Sequence, residues 1–292
     1  MLTNKNILIT GGEGFIGSNL ARFLSKNNNI KIFDIKTGKD IRNLKLLKKE
    51  LEDIDYVFHF AGLISVEEST RKPLEYIESN AIGDYNVLKA SLDAGVKKVI
   101  FASSAAVYGD NPENPKKENM YLIPKATYSI LKLTTEKIMK NFRNDGLDAV
   151  SLRFFNIYGP GQKLNSSYAA VIPIFINKAL KNEDLVIFGD GKQTRDFIYI
   201  KDVINACILA AEKGSGEFNI GSGVPTSIND LANLIIELTN SKAKVLHEKQ
   251  REGDIVHSLA DVTKANKVLG FQPSYDIKSG LKETIEWFKN QK

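Results

Sequence analysis

The sequence predicts an α/β protein, a doubly wound parallel sheet with a smaller α/β lobe set against it. Three observations carry that expectation. Short, continuously apolar runs alternate with helix patterns through the first half. One of those runs passes directly into a glycine-rich turn and a helix, "ILITGGEGFIGSNL" (7–20). After "YGPGQ" (158–162) the rhythm breaks into shorter, mixed segments. Strands that are apolar on both faces belong to parallel sheets covered by helices, and right-handed crossovers wind those helices onto both sides.

The elements run in order along the chain. "KNILIT" (5–10) is the first strand and "FIGSNLARFLSKN" (15–27) the first helix; "IKIFDI" (30–35) and "DYVFHFAG" (55–62) are the next strands. "PLEYIESNAIGDYNVLKASLDAG" (73–95) reads as one long helix closed by glycine, and "KKVIFAS" (97–103) returns as a strand. "TYSILKLTTEKIMKNFRNDG" (127–146) is a helix and "DAVSLRFFNIYG" (148–159) a strand. The spacing divides the chain into a first lobe over 1–160 and a second over 161–292, with 195–213 expected to return to the first.

Composition narrows the classes of function. Of 292 residues, 42% are apolar and 26% charged, the range of a globular protein with a sizeable core. The net charge of +5 comes from scattered lysines, without basic-aromatic blocks, so no nucleic-acid partner is expected. The single cysteine, Cys207 in "VINACILAA", reads as a small core residue. His59, His247 and His257 lack metal-ligand spacing, so no metal site is expected. With no signal-peptide pattern and no run long enough to span a bilayer, the expected setting is cytoplasmic and away from membranes.

In "ITGGEGFIGSNL" (9–20), Gly11, Gly14 and Gly17 recur every third residue between strand and helix, and Gly12, Gly14 and Gly17 also fit the dinucleotide pattern. The chemistry needs a tight turn, close backbone approach to a pyrophosphate, and the free N–H groups of a helix start. Asp34 ends the second strand about 20 residues on, where a carboxylate accepts both ribose hydroxyls and repels a 2′-phosphate. NAD is therefore expected over NADP, a preference that Lys36 nearby weakens.

"YSILK" (128–132) sets Tyr128 and Lys132 four residues apart on one helix face. A phenol of pKa ~10 is a poor base at neutral pH; a neighbouring ammonium and an oxidised nicotinamide would favour its phenolate. A surface tyrosine beside a solvated lysine is the alternative, and the order of glycine loop, serine-ended strand and tyrosine–lysine pair weighs against it. The strand "VIFASSAAVYGD" (99–110) ends in Ser103 and Ser104, with no acid or base beside them.

With these residues in place the chain resembles the extended short-chain dehydrogenase/reductases, the nucleotide-sugar epimerase and dehydratase family, over nearly its whole length. The resemblance rests on "TGGEGFIGS" (10–18), "DI" (40–41), "HFAG" (59–62), Asn80, "SSAAVYG" (103–109), "YSILK", "RFFNIYGPGQ" (153–162), "FGDGKQTRDF" (188–197), "FNIGSG" (218–223) and "REGDIVHSLAD" (251–261). It implies a Rossmann domain that binds NAD through Gly11, Gly14, Phe15, Ile16, Gly17, Asp34, Phe60, Ala61, Gly62, Asn80, Tyr128 and Lys132, with Asp40 and Ile41 beside adenine. It implies Tyr128 as catalytic base assisted by Ser104 and Lys132. The second lobe would bind a UDP-sugar: Asn156 at the diphosphate side, Phe188 by the base, Arg195 and Arg251 on the phosphates, Asp254 on the ribose. Guanidinium groups pair phosphate oxygens bidentately, which suits that role.

The family's reactions divide at the step after oxidation at C4. Dehydratases carry an Asp-Glu pair after the catalytic hydroxyl and decarboxylases a glutamate; here Ala105 and Ala106 stand there. Epimerase/reductases need a cysteine that this chain lacks at the site. The resemblance therefore implies 4-epimerisation of UDP-glucose/UDP-galactose. Ser258, at the position that gates the C2 substituent, extends the expectation to UDP-GlcNAc/UDP-GalNAc. A UDP-glucuronate 4-epimerase and a non-catalytic NAD-binding regulator are the rival expectations. The resemblance also implies a homodimer formed by the helices of 73–95 and 127–146.

Overall fold

The computed structural model describes residues 2–164, 170–250 and 256–291. The chain begins with β1 (Asn6–Thr10), α1 (Phe15–Leu24) and β2 (Asn29–Phe33). Only a short 3-10 turn and α2 (Leu44–Glu50) separate β2 from β3 (Tyr56–His59). The helices α3 (Val66–Arg71) and α4 (Pro73–Ile77) come next, and α4 continues through a π-helical turn over Glu78–Gly83 into α5 (Asp84–Asp93). The long helix expected over 73–95 is thus interrupted by one wide turn, and Asn80 within it and Asp84 just after it are buried. Strand β4 (Lys98–Ser104), helix α6 (Thr127–Asn144) and β5 (Ala149–Phe154) complete the first half.

Beyond β5 come β6 (Asn156–Tyr158), α7 (Val171–Leu180), β7 (Leu185–Phe188), β8 (Thr194–Tyr199) and α8 (Ile200–Glu212). The described chain closes with β9 (Gly216–Ile220), β10 (Pro225–Ser227), α9 (Ile228–Thr239), β11 (Val245–Glu248), β12 (His257–Ser258), α10 (Thr263–Leu269) and α11 (Ile277–Lys289).

The main sheet has six parallel strands in the order β2-β1-β3-β4-β5-β9. Its strands alternate between two buried faces. Ile7, Ile9, Ile100, Val150 and Leu152 enter one core, while Leu8, Val57, Val99, Phe101 and Ala149 enter the other. Burying each such leucine, isoleucine or phenylalanine contributes about 1.5–3 kcal/mol, so both faces hold the sheet in register. The first core runs on without a break into Ile176, Ile198, Leu231 and Leu281 of the second lobe.

The run 148–159 is two strands rather than one. The Phe155 N–H still donates to Ile220 O of β9 at 3.0 Å, and one residue later β6 pairs with β8 in a smaller sheet ordered β10-β8-β12. Within the segment expected to return to the first lobe, α8 packs on β4 and β5, whereas β8 belongs to the smaller sheet. The sixth strand of the main sheet, β9, lies just beyond that segment. Cys207 is fully buried in α8, and burial pushes its thiol pKa up, which suits a core residue and not a nucleophile.

Ligands in such sheets bind outside the carboxyl ends of the strands, where the strand order reverses. Here that point lies between β1 and β3, and the glycine turn and the segment Phe60–Gly62 both leave from it.

Candidate active site

The glycine turn is built by close backbone approach. Gly11 has φ +67°, and a Cβ there would stand 2.7 Å from the Ala61 nitrogen; at Gly17 it would stand 2.2 Å from Gly11 O. Gly14 caps α1 without a side chain, and no acidic residue occupies the first helical turn. The first N–H groups of α1 are therefore left to a ligand, and their partial positive charge suits a pyrophosphate. The shape of the turn suits a dinucleotide, which Gly11, Gly14, Phe15, Ile16 and Gly17 would hold.

Asp34 lies just past β2 and is buried. Its Oδ2 accepts the Glu13 N–H at 2.9 Å and its Oδ1 the Lys36 N–H at 3.0 Å. An ionised carboxylate has about four acceptor positions, so two remain for ribose hydroxyls. Lys36 places its ammonium on Glu13 O at 2.9 Å, across the glycine turn. Asn80 clamps the segment after β3: its Oδ1 accepts the Leu63 N–H at 2.8 Å and its Nδ2 donates to Leu63 O at 2.7 Å. Asn80 thus shapes the loop that includes Gly62, whose Cβ position lies 3.1 Å from Asn80 Oδ1. Asp40 is committed to Arg42 by a two-pronged ion pair that holds its carboxyl below the usual range, and Ile41 is buried with its side chain against Gly83. Neither of these two lines the main cleft.

That cleft, of about 580 Å³, brings together Phe15, Ile16, Phe60, Gly62, Ser104, Tyr128, Lys132, Asn156, Phe188 and Arg195 from both halves of the chain. Ser104 ends β4, and its Oγ accepts the Ala106 N–H at 3.1 Å. With that oxygen fixed, the Ser104 hydroxyl is placed beside the Tyr128 phenol, where it favours the phenolate. Tyr128 is held at the start of α6 by its own N–H, which donates to Ser69 Oγ at 3.0 Å. Burial pushes the Tyr128 phenol up to about 12, and the Ser104 hydrogen bond opposes this only in part. Burial also draws the Lys132 ammonium down, against the charges of Asp84 and Glu136. Its Nζ lies 4.4 Å from the centre of the Phe101 ring and 5.9 Å from that of Tyr128. The expected lowering of the phenol's pKa is therefore not a property of the protein alone. The tyrosine is a neutral hydrogen-bonded phenol, and additional positive charge in the cleft is needed to ionise it.

At the other end of the cleft, Asn156 opens β6 and Phe188 ends β7, with Gln193 Nε2 donating to Phe188 O at 2.8 Å. Arg195 lies on β8, in register with Ser258 on the adjacent strand β12. Ser258 itself is not among the residues lining the cleft. Arg251 and Asp254 lie outside the described residues.

Three groups went unassigned in the sequence although they sit within or beside its motifs. Gln162 and Gln193 line the cleft, and Gln162 Oε1 is buried without a hydrogen-bond partner. Ser103 lines it too, and turns its hydroxyl to Glu136 at 2.6 Å. A buried chain of Thr10, His59, Asp84 and Thr135 runs beneath, with His59 Nδ1 2.7 Å from Thr10 Oγ1, His59 Nε2 3.0 Å from Asp84 Oδ1, and Thr135 Oγ1 donating to Asp84 Oδ2 at 2.8 Å.

Residues 7–221 match the family described as NAD dependent epimerase/dehydratase. The chain belongs to that family. This epimerase/dehydratase is 36% identical to a putative UDP-glucose 4-epimerase of Methanocaldococcus jannaschii, over 97% of this chain and 98% of that one. It is 38% identical to a UDP-N-acetyl-alpha-D-glucosaminuronate decarboxylase of Bacillus cytotoxicus, over 98% of each chain. A solved UDP-N-acetylglucosamine 4-epimerase from Methanobrevibacter ruminantium, in complex with UDP-N-acetylmuramic acid, superposes with a TM-score of 0.94 at 40% identity, covering 100% of both chains. The epimerase/dehydratase family is NAD-dependent. No helix among the described residues is long and apolar enough to cross a membrane.

Proposed function

We propose that the protein is an NAD-dependent 4-epimerase of UDP-hexoses, acting on UDP-glucose/UDP-galactose and on UDP-GlcNAc/UDP-GalNAc. One observation carries the reading. Ser104, Tyr128 and Lys132 converge on the cleft, while the two positions directly after the serine are Ala105 and Ala106, which transfer no proton. Elimination and decarboxylation each need a further acid or base at that turn. Epimerisation at C4 does not, because the same base serves both directions.

Tyr128 takes the proton of the sugar O4–H and later returns it. Ser104, with its oxygen fixed by the Ala106 N–H, favours the phenolate that accepts this proton. Lys132 adds positive charge beside the same ring. A dinucleotide held by the glycine turn and Asp34 would supply reversible hydride acceptance at C4, so the overall reaction would carry no net oxidation. Asn156, Phe188, Arg195, Arg251 and Asp254 would hold the nucleotide diphosphate while the ketosugar turns. Room at C2 is supported by Ser258, a small side chain, and by a similar solved enzyme whose ligand carries an N-acetyl group there. A Ser258→Tyr enzyme should lose N-acetyl turnover and keep UDP-galactose turnover.

The test is direct. The purified protein is assayed for released NAD, then supplied separately with UDP-galactose, UDP-GalNAc and UDP-glucuronate and followed by proton NMR. The C4 epimer of the first two is expected. Turnover of UDP-glucuronate alone would move the assignment to a uronate epimerase, and loss of carbon dioxide would overturn it. We also propose a homodimer through α4, α5 and α6. It is supported by the exposed Ile77, Ile82, Tyr85 and Ile130 on those helices and the turn joining α4 to α5, and light scattering would check it.

A further inference from the structure

Behind Ser104 lies a buried ion pair that the proposed reaction does not use. Glu136 is one turn beyond Lys132 and two beyond Tyr128 on α6, so the three share a helix face. It is 3% exposed, as is its partner Arg153 on β5. Glu136 Oε1 accepts from Ser103 Oγ at 2.6 Å and from Arg153 Nε at 2.9 Å, and Oε2 accepts from Arg153 Nη2 at 2.7 Å. Arg153 stands directly opposite Ser103 in the β4–β5 register. Its Nη1 donates to the Tyr108 hydroxyl at 3.0 Å, which in turn donates to Asn219 Oδ1 at 2.7 Å. The cluster thus reaches the turn after Ser104 and the neighbouring strand β9.

We propose that Glu136 is a positioning residue for the reaction. It ties the end of the strand that carries Ser104 to the helix that carries Tyr128 and Lys132, and so holds the serine–tyrosine hydrogen bond in register. Stability alone gives little reason for such a pair, because apolar side chains of the same volume do as well or better in a core. Geometry gives a better one. Ser103 and Ser104 are consecutive, so the bond from Ser103 to Glu136 fixes the backbone from which Ser104 projects. Misplacement of a reacting group by about 1 Å costs on the order of a hundredfold in rate. The charges around Lys132 point the same way. It faces Asp84 from α5, Glu136 and Tyr128 from its own helix, and the Phe101 ring from β4. Asp84 is itself held by His59 and Thr135, Glu136 by Arg153 and Ser103, and Tyr76 of α4 faces Tyr128. Glu136 is therefore one of the two carboxylates whose charge opposes the loss of the Lys132 proton in its buried site.

The inference rests on the 4-epimerase reading, and wild-type protein tests that reading first. Should it turn over another nucleotide sugar, that substrate serves for the same comparison. Four proteins are then compared: wild type, Glu136→Gln, Ser103→Ala, and the paired replacement Glu136→Leu with Arg153→Met. For Glu136→Gln, kcat should fall at least tenfold, with KM within about threefold and bound NAD retained. The alkaline limb of its pH profile should move to lower pH, because Lys132 has lost a negative neighbour. The paired replacement should regain wild-type Tm without regaining kcat. If it regains both Tm and kcat, Glu136 is structural and the proposal is overturned. Should the Glu136 variants fail to fold, Ser103→Ala decides, since it leaves the ion pair intact: kcat falls several-fold if the tether positions Ser104, and an unchanged kcat sinks the proposal.

Discussion

Tyr128→Phe removes one oxygen from the site and nothing else. The ring belongs to an apolar cluster with Tyr76 and Leu131, on which Leu63, Ala81 and Ala106 pack, and the Tyr128 N–H bond to Ser69 is made by the backbone, so the position should refold unchanged. A replacement that conserves shape in a core changes stability by less than about 1.5 kcal/mol. The kinetic effect comes from the acidity of the phenol. Burial pushes it to about 12. At pH 8, with no other charge present, roughly one molecule in 10⁴ would carry the phenolate, a shortfall of about 5 kcal/mol. Positive charge in the cleft, such as an oxidised nicotinamide would bring, lowers that cost, and a positioned base typically contributes ~10²–10⁴-fold. The assay is the rate of UDP-galactose epimerisation by NMR, beside the NAD content of the same sample. The variant should keep its NAD and lose kcat by about 10²–10⁴-fold, with little change in KM. Its residual rate should also lack the pH dependence of the wild type below the plateau. A loss of less than tenfold with NAD in place would refute the assignment of Tyr128 as the base.

Gly17→Ala places a Cβ 2.2 Å from Gly11 O, which forces the turn apart; NAD affinity of the stripped protein, by calorimetry, should fall at least about tenfold, near 1.4 kcal/mol, and undiminished affinity would contradict the cradle. Lys132→Met removes an ammonium whose pKa burial draws down and which has no hydrogen-bond partner among the described residues. It should abolish most activity while raising Tm by about 2–4 °C, and a fall in Tm would count against this. Alkaline stability has a defined sign. The native Tyr128 keeps its proton to about 12, while the unfolded chain releases it near ~10. Its contribution is whole below pH 10 and is lost between 10 and 12, to the extent of about 2.7 kcal/mol. Tyr158 and Tyr199, also raised by burial, act in the same direction. Urea midpoints measured from pH 9 to 11.5 should fall, less steeply in Tyr128→Phe, and a flat series would exclude the effect.

Much of the framework was legible in one dimension because it rests on local requirements. The glycines at 11, 14 and 17, the strand-ending Asp34 and the Tyr128–Lys132 spacing each answer to a turn, a strand end or one face of a helix, and the cleft does assemble Ser104, Tyr128, Lys132, Asn156, Phe188 and Arg195. Other parts depend on partners far along the chain. Asn80 holds Leu63 by both ends of its amide, a pairing across 17 residues that a helix pattern does not reveal. The helix of 73–95 carries a π turn over Glu78–Gly83, a local widening that an apolar pattern of helical period does not show. The run 148–159 bends between two sheets because its successive halves pair with different strands.

The chemistry divides along the same line. By itself the sequence determined which groups are present and in what order: a phosphate-binding turn, a serine-ended strand followed by two alanines, and a tyrosine four residues before a lysine. Spacing along a helix makes Tyr128 and Lys132 neighbours, and the family resemblance is what proposes them, with Ser104, as base and assistants. Only the tertiary structure decided their protonation and their support. Burial from every side raises the Tyr128 phenol and lowers the Lys132 ammonium, and desolvation is a sum over surroundings that sequence spacing does not contain. The carboxylates that answer Lys132 are Asp84 on α5 and Glu136, paired with Arg153 of β5, brought together by the packing of α5, α6 and β5 around the end of β4.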